Sequence, residues 1–205
     1  MIPIEMKQHW ETVYENKNPD QVSWTQEKPE VSLDLIQEAN LPKTAKIIDI
    51  GGGDSKLVDF LIQEGYENIT VLDISAKALE RAKKRLGDKA KEVQWIVSDV
   101  TSFQPTDTYD LWHDRAAFHF LTTKEDIEKY VAITEEFVTD RLVIGTFSKQ
   151  GPTKCSGLEI SQYNENGLAK VFENHFKKVK CLTTDHKTPF DTLQNFQFCS
   201  FRKLK

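Results

Sequence analysis

An α/β fold with a doubly wound, mostly parallel seven-stranded sheet and an antiparallel ending follows from three observations. Short β-branched runs and helix-period stretches alternate strictly between residues 46 and 147, the pattern of parallel strands joined by helical crossovers. The first run, Lys46-Ile-Ile-Asp-Ile50, ends in Gly51, Gly52 and Gly53, and an apolar helix-like stretch opens at Leu57. A strand, a tight glycine turn and a helix N-terminus in that order let backbone approach a ligand and offer it free N–H groups. The last two runs, 178–184 and 194–201, are joined only by residues 185–193, and a connection without a helix closes an antiparallel hairpin.

Each element has its own signal. Residues 1–30 are polar and aromatic and read as an N-terminal arm; Trp10 and Tyr14, four apart, share a face if helical. The arm with Trp10 and Trp24 either caps a cleft or anchors itself to the core. Apolar positions 31, 35, 36 and 39 make a helical face, with Pro42 just past its end. Strand 46–50 is followed by a helix over about 54–64, with Gly65 at its C-terminal cap. Strand 69–73 leads to Ser75, which caps a helix with Ala78, Leu79, Ala82 and Leu86 on one face and Gly87 at its end. Strands follow at 93–97 and 109–113. Thr123-x-x-Asp126 opens a helix to about Val138. Strand 141–147, a loop over 148–162, a helix over 164–175 and the hairpin complete the chain.

Size and composition bound the function. A chain of 205 residues, 39% hydrophobic and 29% charged, suits one globular domain: arm at 1–30, ligand-binding core at 45–150, substrate loop and hairpin at 151–205. A formal charge of −5 supplies no basic footprint for nucleic acid. The sequence holds no run of about 18 apolar residues, so no membrane partner is expected, and its N-terminus carries no apolar signal core. Cys155, Cys181 and Cys199 are odd in number and scattered. They suggest neither a disulfide framework nor a zinc site, and a reducing, cytoplasmic setting is expected. No metal is expected either, because His113, His119, Cys155 and His186 lack ligand spacing.

The glycine turn and an acid about 20 residues on, Asp73, form the general pattern of a nucleoside-binding βαβ unit. The third glycine of the dinucleotide fingerprint is replaced by Lys56, and no Gly-Lys-Ser/Thr occurs. Both facts weigh against a pyrophosphate ligand.

Asp49-Ile-Gly-Gly-Gly-Asp54 resembles the first motif of the class I S-adenosylmethionine-dependent methyltransferases. Val71-Leu-Asp-Ile-Ser75, Ser98-Asp-Val100 and Tyr109-Asp-Leu-Trp-His-Asp114 are similar to the second-, third- and fourth-strand motifs. The resemblance implies a Rossmann-like class I methyltransferase fold with S-adenosylmethionine as cofactor. It implies Asp49 near the methionine amine, with Gly51, Gly52 and Gly53 giving backbone approach. Asp73 would hold the ribose hydroxyls. Asp99 would read the adenine amine, with Ile74 and Val100 against the ring, and His113 would border the cofactor. Ser55 departs from the family, which often has glycine there. The segments 113–121, 154–158 and 186–189 resemble a small bacterial-type subgroup, and the Trp10–Trp24 lead-in resembles that of several small members, some of which methylate protein lysines.

Methyl transfer from a sulfonium asks little of the protein beyond orientation and, for some acceptors, a base. His113 and Arg115 are the catalytic candidates. Trp24, Asp114, Phe118, His119, Cys155 and His186 are the substrate candidates. Blander readings stand beside these: Asp114–Arg115 as a structural ion pair, the histidines bonded to loop carbonyls, Cys155 as a small buried thiol, His186 as a hairpin-turn residue. The expected function is methyl transfer to a small-molecule or protein-lysine acceptor. The alternatives are a non-catalytic nucleoside-cofactor module and an NAD-type oxidoreductase.

Overall fold

The computed structural model describes residues 3–205. One sheet organises the chain, in the order β3-β2-β1-β4-β5-β9-β8. Its strands are β1 (Lys46–Ile50), β2 (Asn68–Asp73), β3 (Val93–Val97), β4 (Tyr109–Arg115), β5 (Val138–Phe147), β8 (Phe176–Lys187) and β9 (Leu193–Lys203). The first five are mutually parallel, and β9 runs antiparallel to both β5 and β8. The helices are α1 (Pro3–Asn16), α2 (Glu30–Glu38), α3 (Leu57–Gln63), α4 (Ala76–Leu86), α5 (Lys124–Phe137) and α6 (Glu165–Phe172). Two-residue strands β6 (Lys154–Cys155) and β7 (Leu158–Glu159) form a separate small ladder.

The period of two in each strand sorts the core into layers. Ile48 and Ile50 of β1 pack with Trp112, Leu142, Ile144, Phe172 and Phe201 on one face. Ile47 packs on the other with Leu33, Ile36, Leu57, Leu61 and Leu79. A strand covered on both faces reads as a continuous apolar run, so the one acid in β1, Asp49, is conspicuous. It lies on the same face as Ile47, toward α2. The strand order reverses between β1 and β4, and the crevice outside their C-terminal ends is where open α/β sheets hold ligands.

The two N-caps expected from sequence are present: Ser75 Oγ accepts from the Ala78 N–H and Thr123 Oγ1 from that of Asp126. Asn164 adds one that was not expected, its Oδ1 accepting from the Gly167 N–H. α3 starts three residues later than expected, at Leu57. The residues before it are spent on the glycine turn, where the Ser55 N–H donates to the Gly52 carbonyl at 2.8 Å. The hairpin strands run longer than expected, with residues 188–192 as their only connection. The loop over 148–162 contains the β6–β7 ladder, whose turn uses Ser156 and Gly157 at φ +50° and +81°.

The reading of the cysteines is corrected. Cys181 of β8 and Cys199 of β9 stand directly opposite each other and are disulfide-bonded, with Cα atoms 4.2 Å apart. Only the hairpin register brings the two together across a separation of 18 residues, and register is not visible in cysteine spacing. Cys155 is free and buried. No helix among the described residues is long and apolar enough to cross a membrane.

Candidate active site

A cleft of about 520 Å³ opens at the C-terminal ends of β1, β2, β3 and β4. It has two halves of different chemistry. One half is bordered by the glycine turn and by acids at strand ends: Asp49, Asp73 and Asp99. The other half is aromatic and is walled by Trp10, Trp24, Phe120, Arg115 and Cys155.

The glycine turn is a cradle that a side chain would fill. Gly51 and Gly53 sit at φ +63° and +49°, in the left-handed region that favours glycine. A Cβ on Gly51 would stand 2.6 Å from the Ala117 Cβ, and one on Gly52 would stand 2.6 Å from Asp49 Oδ2. A Cβ on Gly53 would stand 2.7 Å from the Tyr14 hydroxyl. Of the three, Gly53 does not line the cleft itself; it lies behind Tyr14, which does.

Asp49 is 3% exposed, and its Oδ1 is 2.7 Å from His113 Nδ1. Ser32 Oγ of α2 lies 2.8 Å from His113 Nε2. An ionised carboxylate only accepts, so Nδ1 carries the proton, and the Ser32 hydroxyl donates to Nε2 of the neutral ring. Register places this relay: Asp49 pairs with His113 across β1 and β4. His113 therefore borders the cleft but has no free nitrogen with which to take a proton. Ser32 was not anticipated. Its only signal is a hydroxyl on a helix face that otherwise buries Leu33, Leu35 and Ile36.

Asp73 ends β2, buried, with Oδ1 accepting from the Ser75 N–H at 2.8 Å. Burial, with some help from Asp54 and Asp49, raises its pKa to about 7 against the two backbone N–H bonds that lower it. Asp54 stands nearby with Oδ2 buried and without a hydrogen-bond partner, and burial raises its pKa as well. Asp99 closes β3: its Oδ1 accepts from the Thr101 N–H and hydroxyl, at 2.8 and 2.7 Å. Ile74 and Val100 line the cleft beside these acids.

The arm lies over this half. Glu11 of α1 accepts from the N–H groups of Ala76 and Lys77, at 2.8 and 3.2 Å, and from the Ser75 hydroxyl at 3.0 Å. A carboxylate at a helix N-terminus meets both free N–H groups and the positive end of the dipole. The Arg81 guanidinium of α4 reaches back to the Tyr14 carbonyl. Trp10, Tyr14 and Trp24 of the arm line the cleft. Their rings form one cluster, Trp10 being 5.6 Å from Trp24 and 5.2 Å from Phe120.

Four expected substrate residues do not line the cleft. Asp114 is fully buried on the opposite face of β4 from His113. Its Oδ1 accepts from the N–H groups of Ala117 and Phe118, both at 3.0 Å, and its Oδ2 from the Tyr130 hydroxyl at 2.8 Å. It thus shapes the turn that carries Ala116 at φ +68° under the glycines. Burial pushes its pKa up to about 6. It makes no ion pair with Arg115. Phe118 is core, packed on Tyr130 and Phe172 with ring centroids 4.8 and 5.5 Å away. His119 is wedged between Phe120 and Phe147, and burial followed by the Arg115 charge lowers its pKa to about 3. His186 donates from Nε2 to the Ser23 carbonyl at 2.7 Å and so ties the arm to the hairpin.

Among the described residues no cluster of His, Cys, Asp or Glu could hold a metal ion. The donors present fit a nucleoside with an attached amino acid. The glycine cradle leaves backbone exposed, and Asp73 and Asp99 present oxygens at successive strand ends. The acids Asp49 and Asp54 beside the turn suit a cationic group.

Comparison with known proteins agrees. A family described as "Methyltransferase domain" matches residues 47–138. The chain is 31% identical over 102 residues to a trans-aconitate 2-methyltransferase of Rhizobium etli, covering 49% of this chain and 38% of that protein. It spans about two fifths of the length of the first curated relatives that it matches, 38% and 40%. Among solved structures, the N-methyltransferase NodS of Bradyrhizobium japonicum with S-adenosyl-L-homocysteine superposes with a TM-score of 0.71 at 14% identity, covering 95% of this chain and 98% of that one. The 1,6-didemethyltoxoflavin-N1-methyltransferase of Burkholderia thailandensis, with its substrate and S-adenosylhomocysteine, gives 0.72 at 17% identity, covering 100% and 92%. The NAD-type alternative is set aside by this match and by the β9–β8 ending. With its sheet order and its solved-structure neighbours the chain has the class I methyltransferase fold, and its core over residues 47–138 is similar to the methyltransferase domain family.

Proposed function

We propose that this protein transfers a methyl group from S-adenosylmethionine to a small-molecule acceptor held in the aromatic half of the cleft. One observation carries the reading. The cleft continues past the acid-tipped strands into a chamber built by the arm, the β4 turn and the β6–β7 ladder. A module that only bound the cofactor would have no use for that second chamber. Asp73 would accept from the ribose hydroxyls and Asp99 from the adenine amine, with Ile74 and Val100 against the ring. The Asp49–His113–Ser32 relay would hold negative charge beside the methionine amine. Once bound, S-adenosylmethionine supplies a methyl carbon on a positive sulfur that leaves as a neutral thioether, so no protein nucleophile is needed.

The residues present support catalysis by orientation and water exclusion. His113 is occupied at both nitrogens, which argues for a positioning role in place of a general base. Cys155 holds its proton, since burial pushes its pKa up to about 12. An acceptor that is already nucleophilic fits such a site best. The enclosure by Trp10, Trp24 and Phe120 favours a small molecule over a lysine on a folded protein.

The test is transfer of labelled methyl from S-adenosylmethionine into a library of small acids, amines and thiols, with a protein extract in parallel. Label in small molecules, lost with Asp73→Ala, is the expected result. Label in protein alone would overturn the small-molecule reading. No label anywhere, with cofactor binding intact, would return the protein to the non-catalytic class.

A further inference from the structure

Arg115 stands on the acceptor side of the cleft with its hydrogen bonding incomplete. Its Nη1 donates to the Trp24 carbonyl at 3.0 Å, and its guanidinium lies 4.8 Å from the centre of the Phe196 ring. Its Nη2 is buried and has no partner. Two residues beyond His113 on the same strand, it projects from the same face of the sheet. Burial lowers its pKa to about 10, which leaves it charged at neutral pH.

No neighbour neutralises this charge. His119 and His186 are both held below the usual imidazole range, by burial first and by Arg115 itself second. Cys155 is a protonated thiol. Asp49, whose charge acts on Arg115, is engaged by His113. Lys56 and Arg85, which also line the cleft, are paired with Glu27 and Asp59. A buried cation with an unmade hydrogen bond is costly, and an incoming anion removes that cost.

We propose that Arg115 binds a carboxylate of the methyl acceptor, so that the acceptors are small organic acids whose apolar part packs against Trp24 and Phe120. The inference rests on the reading of the cleft as a methyl-transfer site. A carboxylate suits one guanidinium edge, because it is planar and takes parallel N–H bonds. A phosphate would call for more donors than the single unpaired cation supplies. The acceptor is the source favoured over the cofactor's own carboxylate because Arg115 is surrounded by the arm, β6 and β9. The part of the arm that Arg115 meets is Trp24, on the aromatic side, whereas Glu11 is the part that reaches the acid-tipped strands.

The experiment uses the full chain saturated with S-adenosylhomocysteine, titrated with benzoate, phenylacetate and 3-phenylpropionate and with their amides. The wild type is expected to bind at least one acid more tightly than its amide. Arg115→Met should weaken that acid by about ten- to hundredfold, the worth of a hydrogen bond to a charged group. Affinity for S-adenosylhomocysteine should change less than about twofold, which also shows that the variant is folded. Arg115→Lys, which keeps the charge without the fork, should lie between the two and serves where the Met variant does not fold.

Equal binding of acids and amides, or no acid bound at millimolar concentration, would overturn the inference and leave methyl transfer standing. A second overturning result is an Arg115→Met variant that spares the acids and weakens S-adenosylhomocysteine but not 5′-methylthioadenosine, which lacks the amino-acid part. The guanidinium would then hold the cofactor's carboxylate, and the inference would be wrong. Failure of the wild type to bind S-adenosylhomocysteine would sink both readings.

Discussion

The two halves of the cleft are built in opposite ways. The nucleoside half draws its acids from three consecutive strand ends, Asp49, Asp73 and Asp99, spread over only 51 positions of one parallel sheet. The aromatic half gathers Trp10 and Trp24 from the arm, Arg115 and Phe120 from the β4 turn, Cys155 from β6 and the Phe196 ring from β9. The first is fixed by local strand–turn–helix geometry. The second exists only once the whole chain has folded. Damage to the first should therefore appear in cofactor binding and core stability together, whereas damage to the second should spare both.

The sharpest way to break this contrast is at the relay between the halves. His113→Leu leaves Asp49 buried without its partner. Leaving a buried carboxylate without its hydrogen bond costs about 3 kcal/mol. Urea unfolding should show that loss. The double variant Asp49→Leu with His113→Leu should recover much of it, since two apolar side chains leave no charge stranded. A double variant no more stable than the single one would mean that the relay contributes shape, not satisfaction of the buried carboxylate. Either variant should lose cofactor affinity.

Next in size is the glycine cradle. Gly51→Ala forces a side chain into the left-handed region at φ +63° and against the Ala117 Cβ at 2.6 Å. Overpacking and strain together should cost about 2–4 kcal/mol. The same substitution at Gly65, φ +84°, meets no atom within 4 Å. It carries the strain without the clash and should cost about 1–2 kcal/mol. Titration with S-adenosylhomocysteine should fail for the Gly51 variant and be unchanged for the Gly65 variant. Equal losses at the two positions would show that backbone strain alone governs the turn.

The contrast also explains what could be read from the sequence. The sheet and its helices were legible because their signals are local: β-branched runs, a glycine turn, and a serine or threonine capping α4 and α5. Residues whose roles depend on distant partners were misread or missed. His119 and His186 looked like substrate residues, yet one is wedged between phenylalanines and the other bonds a carbonyl 163 positions away. Asp114 looked like a substrate ligand next to Arg115. The alternation of β4 sends it to the opposite face, where its partner is Tyr130, 16 residues on. Ser32 carried only the faint signal of a hydroxyl on an apolar helix face and the Cys181–Cys199 pair carried none, because a helix-to-sheet contact and a hairpin register are tertiary facts.

The smallest effect separates the halves by proton count. Asp73 of the free protein titrates near 7, because burial and the charges of Asp54 and Asp49 outweigh the N–H bonds of Ser75 and Gly53. Ribose hydroxyls would donate to the ionised carboxylate, so binding selects the deprotonated form. Below about pH 7 the proton must first leave, and affinity for S-adenosylhomocysteine should fall by up to about tenfold per pH unit; above it, affinity should be flat. Calorimetry at pH 6 in two buffers of different ionisation enthalpy should register release of close to one proton. Asp73→Asn should bind more weakly at pH 8 and lose the pH dependence. Its stability should move the other way. A carboxyl whose folded pKa is raised binds more protons folded than unfolded between its ordinary value and about 7, so the wild type loses stability as pH rises through that window. The asparagine variant, with no charge to bury, should not. The acceptor half adds no group that titrates between pH 6 and 8, since Arg115 stays charged while His119 and Cys155 stay neutral. A wild-type binding curve that is flat through pH 6 would place the ribose contact elsewhere than on Asp73.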